Sequence, residues 1–136
     1  MSEPEAGATA SAELSVGSSD LASAFQPGPG DVFPPVFATA RMVALMEVAA
    51  ARLLRPHLGE GESSVGVTVD VTHSAATPQG ESVEATARYL GRDGKLFLFE
   101  VVARDSGGEI GRGTHRRAIV ADERLVAGAV RRNARR

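Results

Sequence analysis

The 136-residue chain contains no cysteine and no tryptophan, one tyrosine, five phenylalanines and a single lysine, Lys95. Without cysteine there is no disulfide framework, no thiolate zinc site and no cysteine nucleophile. With aromatics at only 4%, there is no stacking platform for single-stranded nucleic acid. A net charge of -2 leaves no basic footprint for nucleic acid or an anionic membrane. No apolar run approaches the roughly 20 residues that a membrane-crossing helix needs. The first fifteen residues, MSEPEAGATASAELS, are acidic and polar, unlike a secretory leader. Together with the missing cysteines, this reads as a cytoplasmic protein.

What is present fits one domain with a real core. Hydrophobic residues make up 43% and charged ones 24%, close to the globular average. Residues 1–9 read as a flexible tail and residues 10–16 as a short edge strand. Residues 17–36 read as a lid-like loop, because four of the seven prolines lie between Gln26 and Val36. Residues 37–55 then form the clearest helix, dense in Ala, Leu, Met and Arg, with Pro56 as its stop. Its middle, from Met42 to Ala51, is apolar almost all round, so most of its sides must be covered. The one charge in that run is Glu47.

After a loop the period changes to two. Val65, Val67, Val69 and Val71 alternate with smaller or polar residues, which predicts one buried face that continues to His73. Pro78-Gln-Gly80, Gly91-Arg-Asp-Gly94 and Ser106-Gly-Gly108 read as hairpin turns between further strands at 82–90, 95–105 and 109–122. Residues 123–136 read as a helix ending in the basic tail RRNARR. Hairpins imply an antiparallel sheet, and a helix apolar on every side implies a sheet that wraps it. The expected class is α+β: a hotdog fold, with one long central helix in a curved antiparallel sheet of about five strands. Residues 10–122 form that domain, and its unpaired edge suits a homodimer.

Two polar groups stand on faces this pattern buries. Glu47 and His73 are expected to meet within hydrogen-bond reach or one water. The pair reads either as a salt-linked core pair or as acid–base machinery at a pocket. Thr39 reads as a helix cap, or as a hydroxyl bordering the same pocket, about 80° from Glu47 around the axis. Gly66 interrupts a β-branched strand, which suggests either a bulge or a close approach of backbone or ligand. Arg117 reads as an inward cation, whereas Arg112 and Arg116 fall on the opposite parity. His57 and His115 lack metal-ligand spacing and read as structural or exposed, so no metal site is expected.

Four segments carry a resemblance to a known family: Phe33–Thr39 (FPPVFAT), Met42–Glu47 (MVALME), Val71–Pro78 (VTHSAATP) and Glu109–Arg117 (EIGRGTHRR). In this order they are similar to the fluoroacetyl-CoA thioesterase family of hotdog proteins, over roughly residues 30–120. The resemblance implies hydrolysis of an acyl-CoA thioester, with coenzyme A entering as part of the substrate and no separate cofactor. It implies a catalytic threonine, glutamate and histidine at Thr39, Glu47 and His73. It also implies acyl-group contacts from Gly66 and Arg117, and a lid aromatic at Phe33. One position departs from the pattern: the fluoroacetyl-specific enzyme has a second lid phenylalanine where this chain has Gly30. Rival readings are a hotdog acyl-CoA hydratase or dehydratase and a non-catalytic acyl-CoA binding protein.

Overall fold

A computed structural model describes residues 2–134. Strand β1 (Thr9–Ser15) is followed by a loop with two short 3-10 turns, then helix α1 (Thr39–Leu54). Strands β2 (Glu62–His73), β3 (Ser82–Asp93), β4 (Leu96–Asp105) and β5 (Gly108–Ala121) follow, and helix α2 (Asp122–Arg132) closes the chain. All neighbouring strands are antiparallel, in the order β1-β3-β4-β5-β2. Two turns are true hairpins, between β3 and β4 and between β4 and β5. The expected hairpin at Pro78–Gly80 is not one. β2 pairs with β5 at the far edge, so the chain crosses the sheet before β3 begins.

The sheet curls around α1. The helix buries Met42, Leu45, Met46, Ala49, Ala50 and Leu54. Facing it, β3 contributes Val83, Ala85, Ala87 and Tyr89, and β4 contributes Phe97, Phe99, Val101 and Ala103, all buried. Period-two patterning places these residues on one face of each strand. The Tyr89 ring centroid lies 5.5 Å from that of Phe99 and 6.3 Å from that of Phe97. α2 buries no residue. Among the described residues, no helix is long and apolar enough to cross a membrane.

Three expectations need correction. The segment expected to be a loose tail is tied down: Gly7 N donates to Tyr89 O at 2.8 Å, and the Tyr89 hydroxyl donates to Glu3 at 2.7 Å. Pro4 is buried, and Ser2 hydrogen-bonds His57. Met1 lies outside the described residues, as do Arg135 and Arg136 of the basic tail. The helix cap is Ala38, not Thr39, which is the first helical residue. Finally, the four valines of β2 do not share one buried face. The register slips between Gly66 and Thr68, leaving Val67 without a partner on β5. Such a bulge switches the parity of the strand. Val67, at the bulge, is exposed; Val69 and Val71 share one side beyond it, where Val71 packs against the core and Val69 stays exposed.

The paired glycines of β5 explain how β2 and α1 come so close. A Cβ on Gly111 would stand 2.6 Å from the Thr72 carbonyl oxygen and 2.7 Å from Met42 Sδ. A Cβ on Gly113 would strike the Asp70 carbonyl oxygen and stand 2.6 Å from Val71 Cα. Backbone cannot swing aside as a side chain can. Gly113→Ala is therefore expected to lower the unfolding free energy by about 2–3 kcal/mol, read from urea denaturation. Gly30→Ala, where a Cβ meets nothing within 4 Å, serves as the neutral control.

Candidate active site

The polar residues singled out in the sequence fall into two clusters, one at the start of α1 and one at its middle. At the N-terminal end, Thr39 Oγ1 lies 2.7 Å from His73 Nδ1. Thr39 reaches outward from the first turn, and His73 is the last residue of β2. His73 pairs with Gly111, whose missing side chain leaves room for Met42 and the helix start. The other ring nitrogen, His73 Nε2, is buried with no hydrogen-bond partner among the described residues. A buried ring nitrogen left unbonded costs about 1–3 kcal/mol, so it marks a place for a reacting group or a neighbour. A cavity of about 280 Å³ opens here, lined by Thr39, His73, Phe37 and the Ser74–Ala76 backbone. α1 starts without a side-chain cap; the Arg41 N–H turns back to the Ala38 carbonyl, and those of Thr39 and Ala40 are left for other acceptors.

The second cluster surrounds Arg117, which is only 6% exposed. Its Nη1 donates to Glu47 Oε2 at 3.0 Å and to His115 Nε2 at 3.1 Å. Its Nε donates to Ser64 Oγ at 3.0 Å and its Nη2 to the Ser64 carbonyl at 2.8 Å. Burial pulls the guanidinium below its ordinary pKa, and the Glu47 carboxylate pulls it back up. Gly66 is the floor of this cluster, since a Cβ there would collide with Glu47 Oε2. Gly66 adjoins the bulge, and the group that approaches it closely is a side-chain carboxylate, not another backbone.

Among the described residues, Glu47 and His73 make no direct hydrogen bond to each other. Their hydrogen bonds go to Arg117 and Thr39 respectively. Eight residues of helix separate Thr39 from Glu47, about 12 Å of axial rise. Separately, the bulge brings Gly66 and His73 onto the helix-facing side despite their odd spacing, which a period-two reading does not show. Phe33 lies apart from both clusters, on the loop, 46% exposed.

Sequence reasoning missed two residues. His115 is 1% exposed and sits against Arg117, not at the surface. The available signal was its spacing of two from Arg117 on one strand, which puts both on the same face. Ser64 gave no signal, since only the fold brings its hydroxyl and carbonyl to the guanidinium. Among the described residues, no three His, Asp or Glu side chains could hold a metal ion. A larger cavity, about 460 Å³, lies around His57, Arg92, Lys95 and Phe97, and none of the six predicted site residues lines it.

One helix wrapped by a curled five-stranded antiparallel sheet, with polar groups set against that helix, is the hotdog thioesterase fold. The chain belongs to the fluoroacetyl-CoA-specific thioesterase family, whose model matches residues 16–123. A fluoroacetyl-CoA thioesterase from Streptantibioticus cattleyicolor is 46% identical over 95 residues, 70% of this chain and 68% of its own length. The solved structure of the fluoroacetyl-CoA thioesterase FlK superimposes with a TM-score of 0.90 at 37% identity, covering 98% of this chain and 100% of that one. A thioesterase superfamily member from Thermus thermophilus gives 0.84 at 28% identity, covering 96% and 94% of the two chains.

Burial lowers the pKa of His115 from its ordinary 6.5, and the nearby Arg117 charge adds to the effect. The native state therefore resists a proton that the unfolded chain accepts. This contribution to stability is complete above pH 6.5 and is lost as pH falls below that value, until the folded imidazole also protonates. Thermal midpoints measured between about pH 7.5 and 5 should fall on acidification. His115→Gln should make that slope shallower.

Proposed function

We propose that the protein hydrolyses short acyl-CoA thioesters to the free acid and coenzyme A, using Thr39, Glu47 and His73 as its catalytic groups. The observation that carries this is the Thr39–His73 contact of 2.7 Å at the mouth of a cavity, within a chain of thioesterase family. Thioester hydrolysis needs a nucleophile or activated water, a site for the oxyanion and a proton for the leaving thiolate. Arg117 holds the Glu47 carboxylate at 3.0 Å, in place to attack the carbonyl or to take a proton from water. His73 supplies the proton to the departing sulfur, and Thr39 orients the imidazole. The uncapped first turn of α1 offers N–H groups to the oxyanion. On this reading coenzyme A enters with the substrate, no resident cofactor takes part, and the cysteine-free chain works in the cytoplasm.

The separation of the two clusters supports a homodimer with a composite site. β2 is a twelve-residue edge strand with Val67 and Val69 exposed beside its free backbone groups. Antiparallel pairing of two such edges, about a two-fold axis near Val69 and Asp70, sets the Gly66 end of one copy against the His73 end of the other. The same rotation turns the two helices antiparallel. Glu47 of one copy then approaches the Thr39–His73 pair of the second, and the buried His73 Nε2 gains a neighbour.

Release of free thiol from a panel of short acyl-CoAs tests the reaction. A hydratase or dehydratase, or a binding protein, would release none. Glu47→Gln and His73→Ala should each be nearly inactive. Subunits of the two variants, mixed and allowed to exchange, should regain about a quarter of wild-type activity, because half the dimers are mixed and each holds one intact site. No recovery on exchange would place all the catalytic groups in one subunit.

Selectivity follows from the lid. Phe25, Val32 and Phe33 are exposed along the loop, and Gly30 has open space around it. An aromatic absent at Gly30 removes about 1.5–3 kcal/mol of apolar burial, one to two orders of magnitude in discrimination. The wild-type protein should prefer fluoroacetyl-CoA over acetyl-CoA only modestly and turn over another short acyl group better. Gly30→Phe should raise that preference, measured as the ratio of kcat/KM values.

A further inference from the structure

We infer that His115 is a positioning residue for the reaction, acting through Arg117 to hold the Glu47 carboxylate over Gly66. The inference rests on the thioesterase reading for its kinetic consequence, but its geometry stands on two contacts. His115 Nδ1 lies 2.8 Å from the Thr68 carbonyl oxygen, which can only accept, so Nδ1 carries the proton. His115 Nε2 lies 3.1 Å from Arg117 Nη1, which can only donate, so Nε2 presents a lone pair. The two contacts leave one tautomer of a neutral ring.

That lone pair fixes the guanidinium. Arg117 Nη1 carries two N–H groups, and its two partners are His115 Nε2 and Glu47 Oε2. With Ser64 holding Nε and Nη2, four of the five N–H donors are committed, and the plane of the guanidinium has no freedom to turn. The Glu47 oxygen it holds lies where a Gly66 Cβ would be, and that Cβ would also stand 3.2 Å from His115 Cε1. Imidazole, guanidinium, carboxylate and a bare glycine backbone thus form one packed unit. The elements around the ring bring Glu47 from α1, Arg117 from β5, the Thr68 carbonyl from β2 and the Phe99 ring from β4, at 6.4 Å. Protonation would turn Nε2 into a donor facing a donor and free the Glu47 end of the unit.

Two isosteres separate positioning from packing. In His115→Gln the amide oxygen reaches the place of Nε2 and keeps the acceptor for Arg117. In His115→Asn the amide reaches only the place of Nδ1 and keeps only the Thr68 bond. For the thiol-release reaction we expect His115→Asn to lower kcat roughly ten- to hundredfold with KM changed about twofold or less. His115→Gln should stay within about threefold of wild type. Equal kcat losses in both variants, or a folded His115→Asn protein with wild-type kcat, would overturn the inference. Nitrogen-15 spectra of the wild-type imidazole give a reading that needs no variant to fold and no substrate to turn over. They should show a proton on Nδ1 and a bare Nε2 throughout the active pH range. A proton on Nε2 would sink the assignment even in an active thioesterase. Absence of thiol release from every acyl-CoA would instead strike the functional reading and leave the ring's tautomer to be judged by the spectra.

Discussion

The candidate site depends on one buried cation. A guanidinium removed from water is costly unless its donors are matched and its charge is met. Arg117 meets those conditions with groups from three elements: Ser64 on β2, His115 on its own strand β5 and Glu47 on α1. Satisfying the cation therefore ties the edge strand to the helix at a place where apolar packing is sparse, since Val67 and Val69 beside it are exposed. It also sets the carboxylate. Glu47 belongs to an otherwise apolar stretch of α1, and without Arg117 its partly buried charge would have no counterion.

The helix separates two kinds of chemistry. Its start, uncapped and carrying the positive end of the helix dipole, stands beside the Thr39–His73 pair, where a proton donor and a polarised carbonyl oxygen would be served. At its midpoint, a negative group is held by a cation. In the proposed dimer, a second copy across the free β2 edge would supply what one copy holds too far away.

Much of this was legible in the sequence, and the failures share a cause. The central helix, the β3 and β4 faces and two hairpins follow from apolar period and turn residues alone. So does the inward side of Arg117. What misled the reading was the assumption that β2 keeps one parity from Val65 to His73. The bulge at Val67 has no compositional mark beyond Gly66, and it returns Gly66 to the side of His73; Glu47 and His73 were set together by a shared buried side with no account of their height along α1, and each has another partner. The turn at Pro78–Gly80 misled in a related way, because local residues specify a reversal of the chain but not which strand it meets next. His115 was passed over because a histidine was judged by metal spacing instead of by the face it shares with Arg117.

The bulge also supplies a ruler for sorting related sequences. Gly66 and His73 are seven positions apart, an odd interval, yet both serve the helix side. In a regular strand an odd interval sends two residues to opposite sides. A chain with the same glycine, histidine and valines at an even interval would need no bulge to put both inward. One with an odd interval and a straight strand would turn its histidine outward, carrying every expected residue and no working arrangement. Interval parity, read together with the register of the last strand, thus separates the chains that can build this constellation from those that only share its letters.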